Sequence, residues 1–277
     1  MSAQLQQAAR HILENPQEVA LVSMRELARN ARVQPSTMTR LAKFLGFSRY
    51  EDFRGEHADV IRVSADGFAA RALQRDGGAT NKEGLAHRML QSLSAQVARL
   101  CEPDTLLRLN KMASRLGEAR RIYVLGLRSC HSVAWHFHYV MTLLGEKTVH
   151  LDSPADTSGD ALIRASAEDV LLAISISPYS LRTLELAEAA REKGVRIVAI
   201  TDSEVSPLVA IAENVILFST ESQTFFHTLT PALAVSEVLC GLLAAHDRNA
   251  ALEELKRADH HLSSMNTYAS SIPRRKI

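Results

Sequence analysis

Five short apolar runs in the second half of the chain leave it very few folds to adopt. They read RIYVLGL (121–127), KTVHL (147–151), DVLLAIS (169–175), VRIVAIT (195–201) and NVILFST (214–220). Each is too short for an ordinary helix and rich in Val, Ile and Leu, so each is expected to be a buried strand. Stretches of helical periodicity lie between and after them. These are SCHSVAWHFHYVMTLLG (129–145), a segment near 155–167, SLRTLELAEAAREKG (180–194), a short one begun by Ser206-Pro207, and a long one from about Gln223 to His246. Parallel neighbours need a crossover, and helices cover the two faces of the sheet that results. The alternation therefore predicts a doubly wound α/β domain around a five-stranded parallel sheet. Helices over 85–100 and from Pro103 to about Gly117 are expected before the first strand.

In such sheets ligands bind beyond the C-terminal ends of the strands. Three loops there carry hydroxyls and are expected to converge: GLRSC (126–130), SISPYS (175–180) and TESQT (220–224). Two of them enter helices whose first N–H groups favour an anion. Ser129, Ser175, Ser177 and Ser180 can donate to phosphate or sugar oxygens, and Arg128 adds positive charge. The plainer alternative is that these serines only cap helices. Cys130 lies near an expected helix N-terminus, which lowers the pKa of an adjacent thiol, although a small buried residue is the simpler account.

The first eighty residues have another character. Apolar residues at Leu5, Ala8, Ala9, Ile12 and Leu13 predict a helix that Asn15-Pro16 ends. Ser23 and Glu26 form a capping box at the head of SMRELARNA, with Met24, Leu27, Ala28 and Ala31 inward. After the turn Arg32-Val33-Gln34, Pro35 starts a third helix whose stripe is Met38, Leu41, Ala42 and Leu45. Gly46 stops it, and Ser48 and Glu51 are expected to cap a fourth helix containing Phe53. The other face of the third helix carries Ser36, Thr37, Thr39, Arg40 and Lys43, hydrogen-bonders and cations suited to base edges and phosphates. Two short helices joined by a tight turn, the second so divided, describe a helix-turn-helix.

Charge supports that reading locally. The whole chain carries only +1, yet Arg25 to Arg54 holds seven basic residues against three acids, a surplus of +4. A glycine-containing break from 64 to 82, including DGGAT, divides a DNA-binding all-α bundle (1–63) from a ligand-binding α/β domain (83–277). Three widely spaced cysteines support neither a disulfide framework nor a CxxC site. His136 and His138 fall on different faces of one helix, so neither a metal nor a cofactor is expected. No apolar run approaches a membrane span and no signal peptide is visible, which leads to an expectation of a cytoplasmic protein with no membrane partner.

The segments SMRELARNARVQPSTMTRLAKFLGFSRYEDFR, YVLGLRS and LLAISISPYSLRTLELAEAAREKGVRIVAITDSEVSPLVAIAENVIL, with the helix after FFHTLT, resemble the RpiR family of bacterial transcription regulators. These join a helix-turn-helix to a sugar isomerase (SIS) domain, and the resemblance covers nearly the whole chain. It implies a regulator of a carbon-metabolism operon that senses a phosphosugar or related anionic metabolite. It also implies phosphate binding by Ser129, Ser175, Ser177 and Ser180, and a homodimer or homotetramer that sets two reading helices on a pseudo-palindromic operator. Two positions depart from the pattern. Arg128 stands where the first loop often has a second glycine, and Pro178 where the second loop commonly has one. Together they leave an acid or an acidic sugar open beside a sugar phosphate as ligand. The alternative is a phosphosugar isomerase, for which Glu221, His227 and Glu237 are the acid–base candidates; no spacing pairs them, so a sensor is expected.

Overall fold

The computed structural model describes residues 2–15, 18–19, 22–55, 68, 71–72, 82–152 and 154–268. The chain divides into two compact units, Met1–Met89 with Ser222–His227, and Leu90–Glu221 with Thr228–Ile277.

In the first unit, α1 (Ala3–Glu14), α2 (Met24–Asn30) and α3 (Pro35–Phe44) are followed by helical residues at 50–55. Leu5, Ala8 and Ile12 of α1 meet Leu27 and Ala28 of α2, and Met38, Leu41 and Ala42 of α3, with Tyr50 and Phe53 closing the core. Ser23 caps α2 through Glu26 N at 3.3 Å, but the capping box is incomplete: the Glu26 carboxylate accepts from Arg29 at 3.3 Å instead. The turn is made by Arg32 in the left-handed region (φ 55), which lets Val33 N–H return to Ala28 O at 2.9 Å. Gly46 (φ 93) does the same for α3, with Phe47 N–H on Ala42 O at 3.0 Å. Two expectations change here. Leu45 is 51% exposed because the helix has already ended and its spacing no longer applies. Asp52, rather than Ser48 and Glu51, caps the next helix by accepting from Arg49 N at 3.0 Å. The continuation of that helix past 55, the DGGAT hinge and the basic tail SIPRRKI lie outside the described residues.

The second unit is built on β1 (Ile122–Gly126), β2 (Thr148–His150), β3 (Val170–Ile174), β4 (Arg196–Thr201) and β5 (Asn214–Leu217), all parallel, in the order β2-β1-β3-β4-β5. Alternate side chains of each strand point to opposite faces. Ile122 and Val124 enter a core with Met112, Leu116, Phe137 and Leu239. Tyr123 and Leu125 enter another with Leu162, Leu186, Ala190 and Leu208. The first core is covered by α5 (Pro103–Glu118), α6 (His131–Thr142) and α8 (Thr230–His246), the second by α7 (Leu181–Glu192) and two 3₁₀ segments. An earlier helix, α4 (Lys82–Arg99), runs across the division between the units.

The strand order reverses between β1 and β3, the place where doubly wound sheets open a crevice. The loops after these two strands therefore flank the crevice. The third loop follows β5, the edge strand, two strands from β3. The last helix also begins later than expected, at Thr230 rather than near Gln223. Local hydroxyl bonds hold the preceding residues out of a helix, among them Thr224 N on Ser222 Oγ at 3.1 Å and Thr230 N on Thr228 Oγ1 at 3.2 Å. A helix with no sequence-based expectation, α9 (Arg248–Ser264), follows, capped by Asp247 through Ala250 N at 3.0 Å.

Candidate nucleic-acid interface and anion site

Gln34 is the N-cap of α3 and Pro35 its first residue, which puts Ser36, exposed, in the opening turn. Arg40 and Lys43 are exposed, and neither pairs with an acid among the described residues. By contrast Arg29, Arg49 and Arg54 are tied to Glu26, Asp52 and Glu51. Thr39 is half-buried with its hydroxyl on Met24 Sδ at 3.6 Å. Thr37 departs from the expectation of an outward side chain: it is 2% exposed, and its hydroxyl donates to Gln4 Oε1 at 3.4 Å. It stands four residues before Leu41, on the inward stripe. The outward cationic face is thus Ser36, Arg40 and Lys43, flanked by Thr39.

At the sheet edge the first loop is held by close approach. A Cβ on Gly126 would come within 2.7 Å of Cys130 O and 2.8 Å of Ala134 Cβ, so the end of β1 accepts only glycine. Arg128 then takes φ 58, a left-handed backbone at the position where the family pattern has glycine, and its side chain is exposed. Ser129 is half-buried, with its carbonyl accepting from Ser132 at 3.1 Å. Cys130 is buried, and burial pushes its thiol up to about 11. The activated thiol that a helix N-terminus would favour is therefore not formed.

The second loop is already hydrogen-bonded within the fold. Ser175 is 3% exposed, its N–H on Ile200 O at 3.2 Å and its carbonyl accepting from Thr201 at 2.7 Å. Ser180 caps α7, accepting from Thr183 N at 3.4 Å. The Ser177 N–H donates to Asp202 Oδ2 at 3.1 Å, and the Tyr179 hydroxyl to Asp202 Oδ1 at 3.0 Å. Burial, with the Asp202 charge second, holds the Tyr179 hydroxyl above its ordinary range and keeps it a donor. Sequence reasoning missed Asp202, although it directly follows the strand VRIVAIT and so had to stand at the same edge.

A second omission lies beside the first loop. His131, the first residue of α6, has Nδ1 2.5 Å from Asp152 Oδ2, just past β2. His150 and Trp135 surround that ring, with centroids 5.3 and 6.3 Å away. Burial is the first cause that pushes His150 down to about 4, followed by repulsion from His138 and His131. The acid–base candidates Glu221, His227 and Glu237 form no described hydrogen bond with one another, and Glu221 and Glu237 are exposed. His136 bonds Ser236 at 2.9 Å and His138 bonds Thr148 at 2.8 Å. Among the described residues no group of three or more His, Cys, Asp or Glu is arranged to hold a metal ion. No described helix is long and apolar enough to cross a membrane.

Comparison with known proteins matches two segments of the chain to family models. Residues 3–62 match the helix-turn-helix domain of the rpiR family, and residues 115–240 match the SIS domain. An uncharacterized helix-turn-helix-type transcriptional regulator of Clostridium perfringens is 25% identical over 206 residues, covering 73% of this chain and 71% of its own. The sugar isomerase domain of an RpiR transcription factor from Sphaerobacter thermophilus superposes with a TM-score of 0.58 at 22% identity, over 64% of this chain and 98% of that one. The Vibrio vulnificus NanR protein complexed with ManNAc-6P does so with a TM-score of 0.55 at 20% identity, over 97% and 96% of the two chains. A helix-turn-helix of the rpiR type at one end and a SIS sheet after it make this chain a member of the RpiR family of transcriptional regulators.

Proposed function

We propose that this protein is a bacterial, cytoplasmic DNA-binding regulator of a carbon-metabolism operon, controlled by a sugar phosphate or sugar acid bound in its SIS domain. The observation that carries the reading is the cationic face of α3, without acidic partners among the described residues, on a helix-turn-helix. Ser36, Thr39, Arg40 and Lys43 contact DNA, the cations on phosphates and the hydroxyls on phosphate or base edges. Thr37 supports the helix from behind.

The effector lies in the crevice between β1 and β3. Ser129, Ser175, Ser177 and Ser180 supply donors to its phosphate, and Arg128 a guanidinium that can grip a carboxylate or phosphate with two parallel bonds. Support comes from both serine loops flanking the strand-order reversal. A homodimer or homotetramer would set two α3 helices on a pseudo-palindrome. Effector binding then biases the spacing of the two reading helices through the 64–82 linker.

The test is selection of genomic fragments by the purified protein at two salt concentrations, followed by titration of the enriched operator with sugar phosphates. An enriched pseudo-palindrome, released or tightened by one metabolite, is the expected result. Turnover of a sugar phosphate, abolished by changing His227 or Glu237, with no enriched site, would instead support the isomerase.

A further inference from the structure

His131 and Asp152 stand next to the anion site without belonging to it. His131 follows the Arg128–Cys130 segment directly. Asp152 lies two residues beyond the Val124–His150 pair of the β1–β2 ladder, level with Gly126 at the mouth of the first loop. A carboxylate only accepts, so the 2.5 Å contact makes His131 Nδ1 the donor and fixes the ring orientation. Nε2 has no partner among the described residues, and the side chain is 46% exposed. Trp135, one turn along α6, lies parallel to the ring within 5° and is 49% exposed. His150 closes the other side, and its Nε2 is buried with no hydrogen-bond partner among the described residues. A buried polar atom left unpaired calls for an absent partner.

An exposed aromatic face beside the free ring nitrogen of His131 suits a carbohydrate, which offers C–H groups on one side and hydroxyls around its rim. With Nδ1 turned to Asp152, the Nε2 of His131 is the ring nitrogen left to bond a sugar hydroxyl. Burial keeps His150 uncharged at physiological pH, so it packs beside the His131 ring without adding a cation there. We propose that His131, oriented by Asp152 and flanked by Trp135 and His150, is the subsite for the carbohydrate end of a phosphorylated sugar whose phosphate lies in the serine loops. This rests on the reading of those loops as the phosphate site, and it assigns the opposite end of the same ligand.

Trp135 is the chain's one tryptophan, so its emission reports on this subsite alone. The full-length protein is titrated with N-acetylmannosamine 6-phosphate, glucose 6-phosphate and the short probe glycerol 3-phosphate, by tryptophan fluorescence and by calorimetry. The expected result is that a hexose phosphate changes Trp135 emission and glycerol 3-phosphate binds without doing so. His131→Phe then weakens the hexose phosphate roughly tenfold, as loss of one hydrogen bond would, and leaves glycerol 3-phosphate within about twofold. Asp152→Asn, which keeps the ring packed, causes a smaller loss with the same selectivity. Equal losses for long and short probes, or no loss for either, would overturn the subsite. If Ser177→Ala abolishes both probes while His131→Phe spares both, the phosphate reading survives and this proposal falls. If neither probe binds the unaltered protein at millimolar concentration, both fall.

Discussion

The polar surfaces of the two units are prepared in opposite ways. On α3 the cations Arg40 and Lys43 stand without acidic partners among the described residues, while their neighbours Arg29, Arg49 and Arg54 are neutralised locally. At the sheet edge the polar groups are already engaged: Ser180 caps a helix, Ser175 is bonded through its backbone, and Asp202 takes the Ser177 N–H and Tyr179 O–H. An extended polyanion can be met by charges that need no rearrangement, because the gain comes from released counterions. A small ligand must exchange its bonds with water for bonds to a loop whose shape is held in advance. One surface is ready through lack of partners, the other through having them.

Four measurements would break or sharpen that contrast. Replacing both Arg40 and Lys43 by Ala is expected to weaken operator binding by about a hundredfold and to reduce the salt slope by roughly two, since each cation meets one phosphate. An unchanged slope would show that α3 does not face the backbone. At the sheet edge, Gly126→Ala drives a methyl into Cys130 O and Ala134. It should lower stability by about 1–3 kcal/mol in a denaturant titration, as overpacking does.

Asp202→Ala removes the acceptor of two loop donors, at a cost of about 1–2 kcal/mol. A bound sugar phosphate should recover part of that loss, so the ligand-induced rise in Tm becomes larger in the variant than in the parent. A smaller rise would mean that Asp202 helps to hold the ligand. The gentlest test concerns pH. Burial pushes His150 down to about 4 in the fold from its ordinary 6.5 when unfolded, so the unfolded chain binds the extra proton in that window. Stability is therefore full above pH 6.5 and declines as pH falls toward 4. His150→Phe should flatten this decline, measured as Tm against pH.

The ease of reading the sequence varied with the locality of the cause. All five strands stand within the runs that their apolar composition marked, and the two serine loops follow from strand ends. The inward position of Thr37 was legible too, since it repeats the stripe of Leu41 one turn earlier, but its hydroxyl outweighed its spacing. α9 does carry apolar residues at helical spacing, Leu252, Leu255, Ala258 and Leu262, but they have no core to face. None of its residues is buried, and its described ion pairs, Lys256 with Glu253 and Arg257 with Glu254, are three apart on a solvated surface. The His131–Asp152 pair was out of reach for another reason. Its members are 21 residues apart, and only the β1–β2 register brings them together.

Arg128 has a practical consequence. A left-handed backbone costs a residue with a Cβ about 1–2 kcal/mol that glycine does not incur. Anyone selecting heat-resistant variants of this protein would therefore be drawn to Arg128→Gly, and would recover a sturdier molecule that had lost the guanidinium at its crevice. If Arg128 grips the effector as proposed, robustness and ligand choice compete at that one codon, so a thermostability screen should hold it fixed, and a search for altered effector preference should begin there.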